Sequence, residues 1–138
     1  MDKIQLLSMT QDELLSFVTN ELGESKFRAK QISEWLARGA EIDEMTNLSA
    51  ALRARLNEIA VANPIRIHRS FKSQIDDTEK FLYALDDGNL IEGVVMRYHY
   101  GDTLCVSTQV GCRMGCAFCA STRGGLVRRL TPAELLDQ

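Results

Sequence analysis

Three of the four cysteines fall within eight residues, in Cys112-Arg113-Met114-Gly115-Cys116-Ala117-Phe118-Cys119, which is the spacing C-x3-C-x2-C. Thiolates this close together can wrap one corner of a compact metal centre. A [4Fe–4S] cube normally has a thiolate on each of its irons, so three ligands leave one iron open. An open iron can chelate the amine and carboxylate of S-adenosylmethionine (SAM). It can then pass an electron to the sulfonium and break a carbon–sulfur bond. The cofactor does the difficult chemistry, while the protein contributes placement and exclusion of water. Phe118, directly before the last cysteine, can shield the cluster, and Gly111 and Gly115 let the backbone bend around it. Structural zinc is the rival reading. It requires a fourth ligand, for which Cys105, His68 and His99 are the remaining candidates, and only one C-x2-C knuckle is present.

The loop has to be held by the elements on either side of it. Thr103 to Gln109 reads as a strand running into the loop, and Gly124-Gly125 follows it. Thr131-Pro132-Ala133-Glu134 then opens a helix, with Thr131 as N-cap and Pro132 at the first helical position. Upstream, Ile65 to Phe71 alternates, with Ile65, Ile67 and Arg69 on one face. Lys80 to Leu85 and Asn89 to Tyr98 are β-rich runs joined by Asp86-Asp87-Gly88, a hairpin-type turn. Within Asn89 to Tyr98, Glu92 shares a face with Leu90, Val94 and Met96. A carboxylate on an apolar face tends to have a raised pKa, which suits proton transfer; an edge strand with Glu92 in solvent is the plainer reading. Cys105 shares a face with Ser107 and Gln109, opposite to Leu104, Val106 and Thr108. It lines either a site or a buried, inert position.

The first 62 residues read as helical. Thr10-Gln11-Asp12-Glu13 has the pattern of a capping box. Leu14, Leu15, Phe17, Val18 and Leu22 recur at helical spacing, and Gly23 is a natural stop. A second helix is predicted from Lys26 to Arg38, with Phe27, Ile32, Trp35 and Leu36 along one side and Gly39 at its end. A third is predicted from Asn47 or Leu48, carrying Leu48, Ala51, Leu52, Leu56 and Ile59, with Pro64 after it. The basic cluster Lys26, Arg28 and Lys30 is either a solvated face or a grip on RNA phosphates.

Composition sets bounds on the class. In 138 residues, 45% hydrophobic and 25% charged is an ordinary globular balance. No apolar run reaches the length of a membrane span, and Met1-Asp2-Lys3-Ile4-Gln5 lacks the basic start of a signal peptide. A cytoplasmic protein without a membrane partner is expected, its cysteines serving metal or catalysis rather than structural disulfides. A net charge of −3 argues against non-specific coating of nucleic acid. Residues 97–138, which hold every cysteine, nevertheless carry 5 basic and 3 acidic side chains.

The residues around the cysteines resemble a specific group. Thr103-Leu104-Cys105-Val106-Ser107-Thr108-Gln109-Val110-Gly111-Cys112, continuing through Cys116-Ala117-Phe118-Cys119-Ala120-Ser121-Thr122 to Gly125 and Arg128, is similar to the RlmN family of radical SAM enzymes. Its members are dual-specificity adenine-C2 methyltransferases of 23S ribosomal RNA and transfer RNA, and Cfr is their C8-methylating relative. Lys26-Phe27-Arg28-Ala29-Lys30-Gln31-Ile32 and Glu44-Met45-Thr46-Asn47-Leu48 extend the likeness to that family's N-terminal domain. Arg129 departs from the family's frequent asparagine, and Pro132-Ala133 from its more typical Ala-Gly pair.

The resemblance implies an α+β or α/β architecture. A three-helix domain would occupy residues 1–62, a β-hairpin region 63–100, and the first βα unit of a partial TIM barrel 101–138, the chain being the N-terminal part of a longer protein. It also implies a [4Fe–4S] cluster on Cys112, Cys116 and Cys119, with SAM as co-substrate. Glu92 would be the proton acceptor. Cys105 would form a transient disulfide with a methyl-carrying cysteine outside these residues. The implied partners are 23S rRNA, tRNA and an electron donor such as a flavodoxin or ferredoxin, and the expected state is a monomer. Readings outside this one are a zinc-stabilised, non-catalytic RNA-binding module and a radical SAM enzyme with another substrate.

Overall fold

In the computed structural model, which describes residues 2–138, Thr10 opens helix α1 (Gln11–Ser16) with the capping box its sequence predicts. The Thr10 hydroxyl accepts from the Glu13 N–H at 3.3 Å, and the Glu13 carboxylate accepts from the Thr10 N–H at 2.8 Å. The helix then widens into a π-helical stretch, Phe17–Glu21, in which the Leu22 N–H donates to the Phe17 carbonyl at 3.2 Å. Leu14, Phe17, Val18 and Leu22 all reach the core, and Gly23, at φ 69°, ends the segment.

Helix α2 (Lys26–Leu36) buries Ala29, Ile32 and Leu36. Phe27 corrects the expected stripe, since it is 63% exposed. Five residues of helix turn it about 140° away from Ile32 around the axis. Trp35 is partly buried and donates from Nε1 to Asn47 Oδ1 at 2.7 Å. Helix α3 (Ala50–Ile59) starts later than predicted, because Ser49 caps it by accepting from the Leu52 N–H at 3.2 Å. Leu48 is buried from the preceding turn, and Ala51 faces outward. Two short strands complete this part: β1 (Ile4–Gln5) pairs in parallel with β2 (Ala60–Val61). Helical periodicity gives no hint of that pairing. The core of this unit gathers Leu6, Phe17, Val18, Ile32, Met45 and Leu56 from its helical segments and the turns between them.

The chain divides into two compact units, one ending at Pro64 and the other running from Ile65 to Leu136 with Gln138. The second unit is built on a four-stranded antiparallel meander of β3 (Ile65–Lys72), β4 (Glu79–Leu85), β5 (Leu90–Tyr98) and β6 (Gly101–Cys105). The predicted turn joins β4 to β5, with Gly88 at φ 83°. One face of the sheet is covered: Ile65, Tyr83, Leu85 and Ile91 pack with Val110 and Leu130. A bulge between Ile67 and Arg69 leaves His68 without a partner in the register. The alternation expected for β3 therefore breaks, and Arg69 lies on the face opposite to Ile65 and Ile67.

The single strand expected over 103–109 is also corrected. Strand β6 stops at Cys105, and a separate strand, β7 (Gln109–Gly111), pairs antiparallel with β8 (Leu126–Arg129) across the cysteine loop. Helix α4 (Pro132–Leu136) follows, with Thr131 and Glu134 exchanging side-chain and backbone hydrogen bonds at its start. Among the described residues, every strand pairing in this unit is antiparallel. No described helix is long and apolar enough to cross a membrane.

Candidate cluster loop and active face

The cysteine loop leaves the β7–β8 ribbon and returns to it through a tight backbone closure. The Cys112 N–H donates to the Gly125 carbonyl at 3.0 Å. Gly111, Gly115 and Gly125 have φ values of 71°, 73° and 69°, the left-handed region that glycine enters without strain. At Gly111 space also demands glycine, because a Cβ there would stand 2.0 Å from the Gly125 carbonyl oxygen.

Inside the loop a threonine acts as a clasp. The Thr122 hydroxyl accepts from the Gly115 N–H at 2.7 Å and donates to the Cys112 carbonyl at 3.1 Å. It ties the turn between the first two cysteines to the backbone of Cys112. Residue type and spacing give no sign of this clasp, because Thr122 uses both hydroxyl functions on groups seven and ten residues away. Thr122→Val should remove both bonds and destabilise the loop by about 1–2 kcal/mol. Thr122→Ser should keep them. Iron content after anaerobic reconstitution, together with thermal melting, checks the pair.

The thiols fit an iron–sulfur group by their chemistry. All four cysteines are free, Cys116 is exposed, and Cys112 and Cys119 are partly so. The Met114 N–H points at Cys112 Sγ at 3.5 Å, the kind of donor that tunes a bound thiolate. The three side chains do not yet converge: among the described residues no group of three His, Cys, Asp or Glu side chains is close enough to hold a metal ion. Phe118, expected to shield a cluster, is 94% exposed.

Glu92 and Cys105 meet on the uncovered face of the sheet. Cys105 stands opposite Val94, two positions from Glu92 along β5, so the two are diagonal neighbours, roughly 7–8 Å apart by sheet geometry. The Ser107 hydroxyl donates to the Glu92 carbonyl at 2.6 Å and holds the chain that leaves β6 against β5. Two expectations are corrected here. Glu92 does share its face with Leu90, Val94 and Met96, but that face is open, and the carboxylate pairs with Lys80 Nζ at 2.8 Å while 58% of its side chain is exposed. Cys105 shares its face with Thr103 rather than with Ser107 and Gln109, because the strand ends there. Cys105 is an exposed free thiol, and no described cysteine forms a disulfide. Sequence reasoning did not single out Lys80, although a lysine two positions before Leu82 in the facing strand was there to be paired with Glu92.

The ribbon that carries the loop is anchored by Arg128. Its guanidinium donates from Nη1 and Nη2 to both oxygens of Glu134 at 2.8 Å each, and from Nε to Asp87 Oδ2 at 2.6 Å. Glu134 is 3% exposed. These bonds hold Asp87 down from 3.8 to about 2 and hold Glu134 below its ordinary value, while the same two carboxylates hold Arg128 above its own. In the first unit, Arg28 is drawn inward to Gln31 Oε1 at 2.7 Å and to the Asn47 carbonyl at 3.0 Å, which leaves Lys26 and Lys30 as the exposed members of the basic cluster.

Known proteins resemble this chain closely. A family model described as the ribosomal RNA large subunit methyltransferase N-terminal domain matches residues 4–62. A probable dual-specificity RNA methyltransferase RlmN of Alkaliphilus oremlandii is 54% identical over 100% of the chain, which covers 40% of that protein. Its counterpart in Clostridioides difficile is 48% identical over 99% of the chain and 40% of its own length. The crystal structure of a radical SAM methyltransferase from Sphaerobacter thermophilus superposes with a TM-score of 0.90 at 37% identity, covering 96% of this chain and 39% of that one. The chain thus spans about 40% of the length of the relatives it matches.

Proposed function

Since the chain belongs to the RlmN family, with residues 4–62 matching its N-terminal domain, we propose that it carries the cluster loop and part of the active face of a radical SAM enzyme that methylates C2 of adenine in 23S rRNA and tRNA through a methylated cysteine. The observation that carries this reading is the set of three free thiols, Cys112, Cys116 and Cys119, on a loop closed by Gly111, Thr122 and Gly125. These thiols would hold a [4Fe–4S] cluster, which when bound supplies the electron that cleaves SAM.

The chain's own side chains would do the rest of the work assigned to them. Glu92 would accept the proton that leaves the methylated carbon, its carboxylate held in place by the Lys80 ammonium. Cys105, an accessible thiol beside it, would resolve the RNA adduct by pairing with the methyl-carrying cysteine. A single unstacked adenine would have to reach this face, as in other enzymes that act on one base of a folded RNA. Lys26 and Lys30 would contribute phosphate contacts, and a small electron-transfer protein would reduce the cluster.

Anaerobic incubation with iron and sulfide tests the carrying observation. The chain should turn brown and bind about four irons. Alanine at Cys112, Cys116 or Cys119 should each reduce that sharply, while Cys105→Ala should leave it unchanged. Uptake of a single zinc without colour would overturn the reading in favour of a non-catalytic module.

A further inference from the structure

We propose that the uncovered face of the β3–β6 sheet is a platform for single-stranded RNA, which enters over β3 and crosses toward Glu92 and Cys105; this deepens the functional reading above and rests on it. The register lays one row across all four strands: Phe71 faces Lys80, Lys80 faces Val94, and Val94 faces Cys105. The bulge in β3 brings Arg69 onto this face beside Phe71, opposite Leu82, and Arg66 lies on it farther along. Phe71 is 49% exposed, with the Arg69 guanidinium 5.6 Å from its ring centre.

A free edge strand needs charge to deter pairing with another chain. That need accounts for basic residues on β3, but not for a half-exposed phenyl ring placed among them. An aromatic ring with a guanidinium beside it, and a second arginine farther along the same strand, offers the stacking surface and the cations that bases and their phosphates require. Charge points the same way. The carboxylate on this face, Glu92, is taken by Lys80, and among the described residues none pairs with Arg66 or Arg69. Four strands span roughly 14 Å from β3 to β6, a width over which sheet-binding RNA modules stack two or three bases.

Titrating the 138-residue chain into a short, labelled, adenine-containing single-stranded RNA, read by fluorescence anisotropy over a salt series, tests the platform. Phe71→Ala should weaken binding roughly tenfold, and Phe71→Tyr should leave it within about twofold. Replacing Arg66 and Arg69 together by alanine should reduce the slope of log affinity against log salt by about 1.4, two phosphates at 0.7 each. Three results would overturn the proposal: no RNA binding by the unaltered chain; binding indifferent to these changes, with loss in Lys26→Ala plus Lys30→Ala placing it on the first unit instead; or self-association in sedimentation that Phe71→Ala abolishes, which would make a second copy the occupant. Iron loading is read separately. A chain that takes up iron while its RNA affinity ignores the sheet variants overturns the platform and leaves the enzyme reading standing. One that binds RNA through this face without taking up iron supports the platform alone.

Discussion

Gly111→Ala should abolish iron loading of the 112–119 loop and destabilise the second unit by on the order of 3 kcal/mol. Two costs add at this position. The backbone sits at φ 71°, where a Cβ costs roughly 1–2 kcal/mol on conformational grounds alone. The new methyl would also stand 2.0 Å from the Gly125 carbonyl oxygen, an atom of the backbone that cannot turn aside like a side chain. Relief requires the β7–β8 ribbon to spread, which breaks the bond from the Cys112 N–H to that same oxygen. Gly115→Ala is the matched comparison: its φ is 73°, but nothing lies within 4 Å of the added carbon. It should cost only about 1 kcal/mol and retain most of the iron. Iron per chain and urea unfolding, measured on both variants, check the contrast. Equal losses in the two would show that the close approach at Gly111 is without consequence.

The second large effect concerns Arg128. Arg128→Met should destabilise the second unit by on the order of 3 kcal/mol at about pH 7, because it strands the Glu134 carboxylate at 3% exposure with its bidentate partner gone. The figure sits at the low end of the range for buried pairs, since 31% of the Arg128 side chain still meets solvent. The loss should depend on pH in a definite direction. Hydrogen bonds from Arg128 lower both carboxyls, Asp87 from 3.8 to about 2 and Glu134 below 4.5. A carboxyl that titrates lower in the folded than in the unfolded chain adds stability that is complete above its unfolded value and vanishes as pH falls through its folded one. Unaltered protein should therefore lose stability between about pH 4 and pH 2, whereas Arg128→Met should lose distinctly less over that interval, keeping only what carboxyls lowered by other groups contribute, such as Asp76 held by Thr78. Urea midpoints measured across it decide the matter; parallel curves for the two proteins would rule out the coupling.

How far these features could be read beforehand depended on how local their causes are. The Thr10–Glu13 box, the Asp86-Asp87-Gly88 turn and the Thr131-Pro132 helix start are each set by neighbours within four residues, and each is where it was expected. Where a partner is distant, the reading failed. Strand β8 exists because it pairs with β7 across the cysteine loop, and neither is long enough to show a pattern of its own. Hydrophobicity alone puts Phe27 on a buried side, although its spacing from Ile32 does not fit one face and it is exposed in the fold. The β3 bulge, an extra residue that alternation cannot announce, reassigns Arg69. For the site, residue type and spacing marked the three loop cysteines, and the family likeness marked Glu92 and Cys105 as a pair. The apolar setting expected for Glu92 was not legible, because which face of a sheet is covered depends on what packs there, here Val110 and Leu130. The roles of Lys80, Thr122 and Arg128 escape for the same reason: each acts on groups that only the folded chain brings near.

The parallel pairing of Ile4–Gln5 with Ala60–Val61 has an engineering consequence. The entrance and exit of the first unit are held one strand spacing apart, about 5 Å. A segment whose two ends are neighbours can be spliced into a surface turn of an unrelated host with little stretching at either junction. Residues 4–62 are in that sense a ready-made cassette, and their transplantation would put the exposed Lys26 and Lys30 on a carrier with no chemistry of its own.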